Sequence, residues 1–66
     1  MKGPLTKPTV KLVGEDGNAF SIMGRVKKAL MVAGADKEYA DKYLKEATVA
    51  DYSYLLTVSM EYVNVE

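Results

Sequence analysis

The chain lacks cysteine, histidine and tryptophan altogether. Without cysteine it holds no disulfide, and without cysteine or histidine it offers no zinc site of the usual kind. The same absences remove the commonest general base and the thiol nucleophile. A serine with a lysine, or two carboxylates, stay formally available for catalysis, but no spacing singles out a set. Only two prolines occur, Pro4 and Pro8, and both fall in the first eight residues. No apolar run reaches the length of a membrane span. The opening "MKGPLTKP" lacks the apolar core of a secretory signal, and Gly3 is misplaced for myristoylation. Nothing in these features argues against the cytoplasm. Charge of one sign is also missing, since nine basic residues meet nine acidic ones. That balance argues against nucleic acid as the partner, because phosphate contacts need a basic excess.

What is present fits a small folded domain. Of 66 residues, 48% are hydrophobic and 27% charged. A domain this short hides only about 60% of the surface its unfolded chain exposes. With disulfides and zinc gone, a partner subunit is the remaining support. Residues 1–8 read as a flexible N-terminal arm and residues 9–66 as a single domain.

The segment "TVKLV" (9–13) is β-branched and alternates, which predicts a short strand. In "NAFSIMGRVKKALMVAG" the residues Ala19, Phe20, Ile22, Met23, Val26, Ala29, Leu30 and Ala33 recur at spacings of three and four, predicting a helix. Asn18 suits its N-cap and Gly34 its left-handed end. Gly24 costs about 1 kcal/mol inside a helix, and a close backbone neighbour is its ordinary reason. Asp36 opens a second helix, whose apolar face is Tyr39, Ala40, Tyr43, Leu44 and Ala47. Glu38–Lys42 and Asp41–Lys45 are acid-to-base pairs four apart on its wet side. After Asp51 the pattern is ambiguous. Leu55, Leu56, Ser59 and Tyr62 fit a helix, while "LTVSMEY" alternates as a strand does.

Gly14, Asp16, Gly17, Asn18, Ala19 and Phe20, then Arg25, then Asp51, Tyr52, Leu55 and Leu56, form a pattern over residues 9–66 that resembles short uncharacterised proteins of bacteria and phages. That family carries no assigned activity. The resemblance implies a third helix after Asp51 and a short strand at 62–65. The fold expected is then α+β, in the order β-α-α-α-β, with the two terminal strands paired and three helices covering them. Where the family tends to carry basic residues, this chain has Met31 and Val32, both off the main apolar face. Exposed apolar residues of that kind mark a contact surface.

Three candidate sites follow. "GEDGNAF" fails as a calcium loop, since the twelfth position from Asp16 is Lys27 rather than glutamate. Gly17 and Asn18 enter a helix whose first amides favour an anion, with Arg25 and Lys28 further along. A turn that caps its own helix explains the same residues. Five tyrosines could stack on a base, or pack the core edge with their hydroxyls in water. The leading expectation is a non-enzymatic binding or regulatory protein that acts through protein contacts, as a homo-oligomer or with another protein. Its surface is Met31, Val32 and Lys27, and it needs no cofactor or metal. The alternative is a phage-type counter-defence protein that sequesters a phosphate-bearing cyclic nucleotide with Gly17, Asn18, Arg25 and Lys28. A DNA-binding regulator ranks third, because Lys37, Lys42 and Lys45 are offset by Asp36, Glu38, Asp41 and Glu46.

Overall fold

The computed structural model describes residues 1–12 and 18–66. Val13, Gly14, Glu15, Asp16 and Gly17 lie outside the described residues, and with them the "GEDG" turn. The order is β1 (Thr9–Val10), α1 (Ala19–Val32), α2 (Lys37–Ala47), α3 (Tyr52–Tyr62) and β2 (Asn64–Val65). This is the expected β-α-α-α-β domain. The strands pair in parallel, with Thr9 opposite Asn64 and Val10 opposite Val65. The Asn64 amide donates to the Pro8 carbonyl at 2.8 Å and the Glu66 amide to Val10 at 2.9 Å. The regular pairing is shorter than the 9–13 run expected from the sequence, and Tyr62 belongs to α3 rather than to a strand.

Each helix starts on a short polar side chain. Asn18 Oδ1 accepts from the Phe20 amide at 2.8 Å, Asp36 Oδ1 from Tyr39 at 2.9 Å, and Asp51 Oδ1 from Tyr54 at 3.0 Å. Each cap satisfies an amide that the helix itself leaves without a partner. Helix α1 ends in a Schellman turn. Gly34 takes φ 108°, its amide meets the Met31 carbonyl at 3.1 Å, and the Ala35 amide meets Leu30 at 2.9 Å. Leu30 and Ala35 are both buried, which supplies the apolar contact typical of that turn.

The ambiguity after Asp51 resolves as a helix. Its buried residues are Leu55, Val58, Ser59 and Tyr62, a helical spacing. A strand would have grouped Leu56 and Met60 with Val58, yet these two are exposed. The core joins Val10, Ile22, Val26, Leu30, Ala35, Tyr43, Ala47, Leu55, Val58, Tyr62 and Val63.

Residues 1–8, expected to be mobile, lie docked at the α1–α2 junction. The Leu5 amide donates to the Ala33 carbonyl and the Asp36 amide to the Lys2 carbonyl, both at 2.9 Å. The Lys2 amide returns a bond to Asp36 Oδ2 at 2.8 Å. Asp36 therefore caps α2 with one oxygen and holds the arm with the other. The Tyr39 amide, first, and then the Lys2 amide hold its carboxyl below the ordinary value, against some desolvation.

Two helix-1 expectations need correction. Phe20 is 81% exposed rather than on the apolar face. It lies one step of about 100° round the helix from Ala19, outside the arc set by Ile22, Val26 and Leu30. Gly24 has no close neighbour either. A Cβ placed there would meet nothing within 4 Å.

Candidate functional site

The outer face of α1 follows from its inner one. Ile22, Val26 and Leu30 are buried, so residues on the far side of the turn face out. Phe20, Gly24 and Met31 share that side, with Val32 beside them and Lys27 and Lys28 among them. Met31 is 45% exposed and Val32 80%, as their positions in the sequence suggest. Lys27 is half-buried and Lys28 exposed. A half-buried lysine lays its methylene stem on apolar surface and keeps its ammonium in water. The face is thus apolar with a basic margin. Phe20 belongs to it and was missed, because its spacing from Met23 looked like core.

Of the anion reading, the described residues Asn18, Arg25 and Lys28 are spread along α1 from its N-cap. Gly17 lies outside the described residues. The Asn18 side chain is engaged by the Phe20 amide, one of the groups an anion would need. Arg25 and Lys28 sit seven and ten residues beyond Asn18. At 1.5 Å per residue that is about 10 and 15 Å along the axis.

A second cluster joins α2 to α3. Tyr43 is buried, and its hydroxyl lies 2.7 Å from Ser59 Oγ. Ser59 donates its own proton to the Leu55 carbonyl at 2.8 Å, so Tyr43 donates to Ser59. Tyr62 donates to Glu46 Oε2 at 2.7 Å. Its ring meets Tyr43 and Tyr39 edge-on, with centroids 5.1 and 5.6 Å away. The Lys42 ammonium stands 5.5 Å from the Tyr62 ring centre, 5.8 Å from that of Tyr39, and 3.8 Å from Glu46. On α2 the charge pair formed is thus Lys42–Glu46, where the sequence suggested Glu38–Lys42. Burial pushes the Tyr43 phenol up. Burial, the hydrogen bond to Glu46 and nearby negative charge push the Tyr62 phenol well up. Both phenols are donors in these hydrogen bonds. Their hydroxyls are tied to side chains rather than to water, which corrects the expectation for these two. The signal available in the sequence was Ser59, a polar residue on the apolar face of α3.

The grooves among the described residues are shallow. One of about 240 Å³ is lined by Ala19, Met23, Ala47, Tyr52 and Leu55 among others. A polar one of about 260 Å³ lies over Tyr39, Lys42, Glu46, Glu61 and Tyr62. These two fall below the usual range of about 300–1,000 Å³ for a small-molecule pocket, and an open groove of about 310 Å³ beside Met1, Glu38, Asp41, Lys42 and Lys45 reaches its lower edge. Among the described residues no group of histidine, cysteine or acids could hold a metal ion. Among the described residues no helix is long and apolar enough to cross a membrane. No protein-family model, curated protein or solved structure matches the chain.

Proposed function

We propose that this chain is a small, non-enzymatic binding or regulatory protein that acts through protein contacts and assembles with itself or another protein. The observation that carries the reading is the outer face of α1, where Phe20, Met31 and Val32 stand exposed beside Lys27. Helix faces in a small domain are solvated by polar residues unless something covers them. The protonated, bonded phenols and shallow grooves support a binding role over a catalytic one. We assign the protein to the cytoplasm on the same footing, since a chain free of cysteine draws no stability from an oxidising compartment.

Native mass spectrometry on gently purified protein tests this. A multimer of the 7.2 kDa chain, or a complex with a second protein, is the expected result. A strict monomer at high concentration that captures no partner overturns it. A carried mass of nucleotide size would instead favour sequestration of a phosphate-bearing cyclic nucleotide by Gly17, Asn18, Arg25 and Lys28.

A further inference from the structure

The N-terminal arm is held in an unusual way. None of residues 1–8 is buried, and Leu5 keeps 82% of its surface exposed. The core therefore does not hold it. Hydrogen bonds do, from the Leu5 amide to the Ala33 carbonyl, from the Asp36 amide to the Lys2 carbonyl, and from the Lys2 amide to Asp36 Oδ2. A segment with few buried contacts opens at little cost. Pro4 and Pro8 restrict its backbone beforehand, so less entropy is lost when it docks. The arm also covers something. Gly3 lies against the Tyr39 ring so closely that an added Cβ would stand 3.1 Å from Tyr39 Cε2. That ring meets Tyr62 edge-on, has the Lys42 ammonium 5.8 Å from its centre, and helps to line the polar groove over Tyr62 and Glu46.

From these contacts we infer that residues 1–8 are a releasable cover over the Tyr39 ring of α2, latched by the second carboxylate oxygen of Asp36 independently of the helix that Asp36 caps. The inference does not depend on the outer face of α1. Two amides converge on one carboxylate, Tyr39 on Oδ1 and Lys2 on Oδ2. A carboxylate accepts on both oxygens, so it serves helix and arm at once. Docked, the arm shields one side of the ring and satisfies the Ala33 carbonyl. Lifted, it leaves the ring, beside Lys42, open to whatever binds there, so the docked arm is an inhibitory contact within the chain. The arm runs straight into the β1–β2 ladder, where Pro8 accepts the Asn64 amide, so an opening that starts at the ladder can pass into the arm.

Asparagine separates the two roles of Asp36. It caps helices about as well as aspartate, but its side chain has one oxygen, and its NH2 group cannot accept from the Lys2 amide. Native-state amide exchange by NMR on the whole chain tests the latch, with the Leu5 amide as reporter because it does not touch Asp36. In Asp36→Asn, Leu5 is expected to exchange at least about tenfold faster than in the wild type, while Tyr39 and Ala40 stay within about twofold. Gly3→Val lifts the arm from the other side, by crowding the ring and leaving Asp36 intact, and Leu5 is expected to lose protection there too. Unchanged protection at the buried positions of α1 and α3 checks that both variants fold. An unprotected Leu5 in the wild type overturns the cover. Leu5 exchange unaltered by Asp36→Asn overturns the latch, and so does a loss at Leu5 matched by an equal loss at Tyr39 and Ala40. An arm still held in Gly3→Val overturns its placement over the ring.

Discussion

The seam between α2 and α3 and the outer face of α1 are built on opposite terms. In the seam each polar group has a partner. Tyr43 donates to Ser59, Ser59 to Leu55, and Tyr62 to Glu46. The rings between them are in edge contact, and Tyr43 and Ser59 are wholly buried. On the outer face of α1 the apolar groups have almost nothing to touch. Phe20 and Val32 keep about four-fifths of their surface, and Gly24 meets no neighbour. Both regions lie in the same small molecule, so composition does not separate them. What separates them is completeness. The seam explains its own residues through the fold, while the α1 face holds residues that the fold does not use. Tyr39, Tyr43 and Tyr62, of a residue type often read as functional, pack against one another within the fold, and the proposed contact surface is a phenylalanine, a methionine and a valine.

The contrast can be broken most severely at Tyr43. Tyr43→Ala empties a fully buried ring site and is expected to cost about 3–5 kcal/mol, enough to unfold so small a domain. Loss of the cooperative thermal transition would show it. Ser59→Ala should act less strongly, at about 1–3 kcal/mol, because it leaves the buried Tyr43 hydroxyl without its acceptor. A urea titration measures this, and an unchanged midpoint would contradict the hydrogen-bond assignment.

Alkali probes the same seam. The Tyr43 and Tyr62 phenols are raised above their ordinary value of 10.0. Their contribution is complete below that pH and is lost as pH rises towards the folded-state values. Stability should hold up to about pH 10 and fall beyond it, with tyrosinate absorbance rising together with unfolding.

The opposite region should respond in the opposite sense. Gly24→Ala removes a helix-weakening residue where a methyl meets nothing, and is expected to stabilise the monomer by about 1 kcal/mol. Its melting temperature, read at high dilution, should rise. Met31→Ser with Val32→Ser should move monomer stability least, by about 0.5 kcal/mol per site or less. Self-association should nevertheless weaken, and an unchanged sedimentation profile would remove this face from the reading.

Much of the fold was legible because local chemistry fixed it. Asn18, Asp36 and Gly34 mark helix ends through bonds to their own neighbours, and their roles follow from sequence position alone. Leu55 to Tyr62 were not decidable that way, since apolar and polar residues there satisfy two periods at once. Only packing chose, by burying Ser59 with Leu55 and exposing Leu56 and Met60. Phe20 and Gly24 were misread because both were assumed to serve the inside of the chain. Of the candidate site, Met31 and Val32 were visible from their offset to Ile22, Val26 and Leu30. The Tyr43–Ser59 and Tyr62–Glu46 bonds each join residues sixteen apart on different helices, and no local rule brings such pairs together.

The parallel pairing of β1 and β2 has a kinetic consequence. Thr9 and Asn64 sit side by side although fifty-four residues of chain lie between them. Closing so long a loop costs more entropy than forming any single helix turn, and two-residue strands return few bonds for it. The three capped helices can form and pack before the ladder closes. The ladder is then expected to be the last contact made and the first released, a clasp whose opening would free the Val10 and Val63 side chains from the core. Amide exchange at Asn64 and Glu66 should therefore be the earliest report of any event that loosens the molecule.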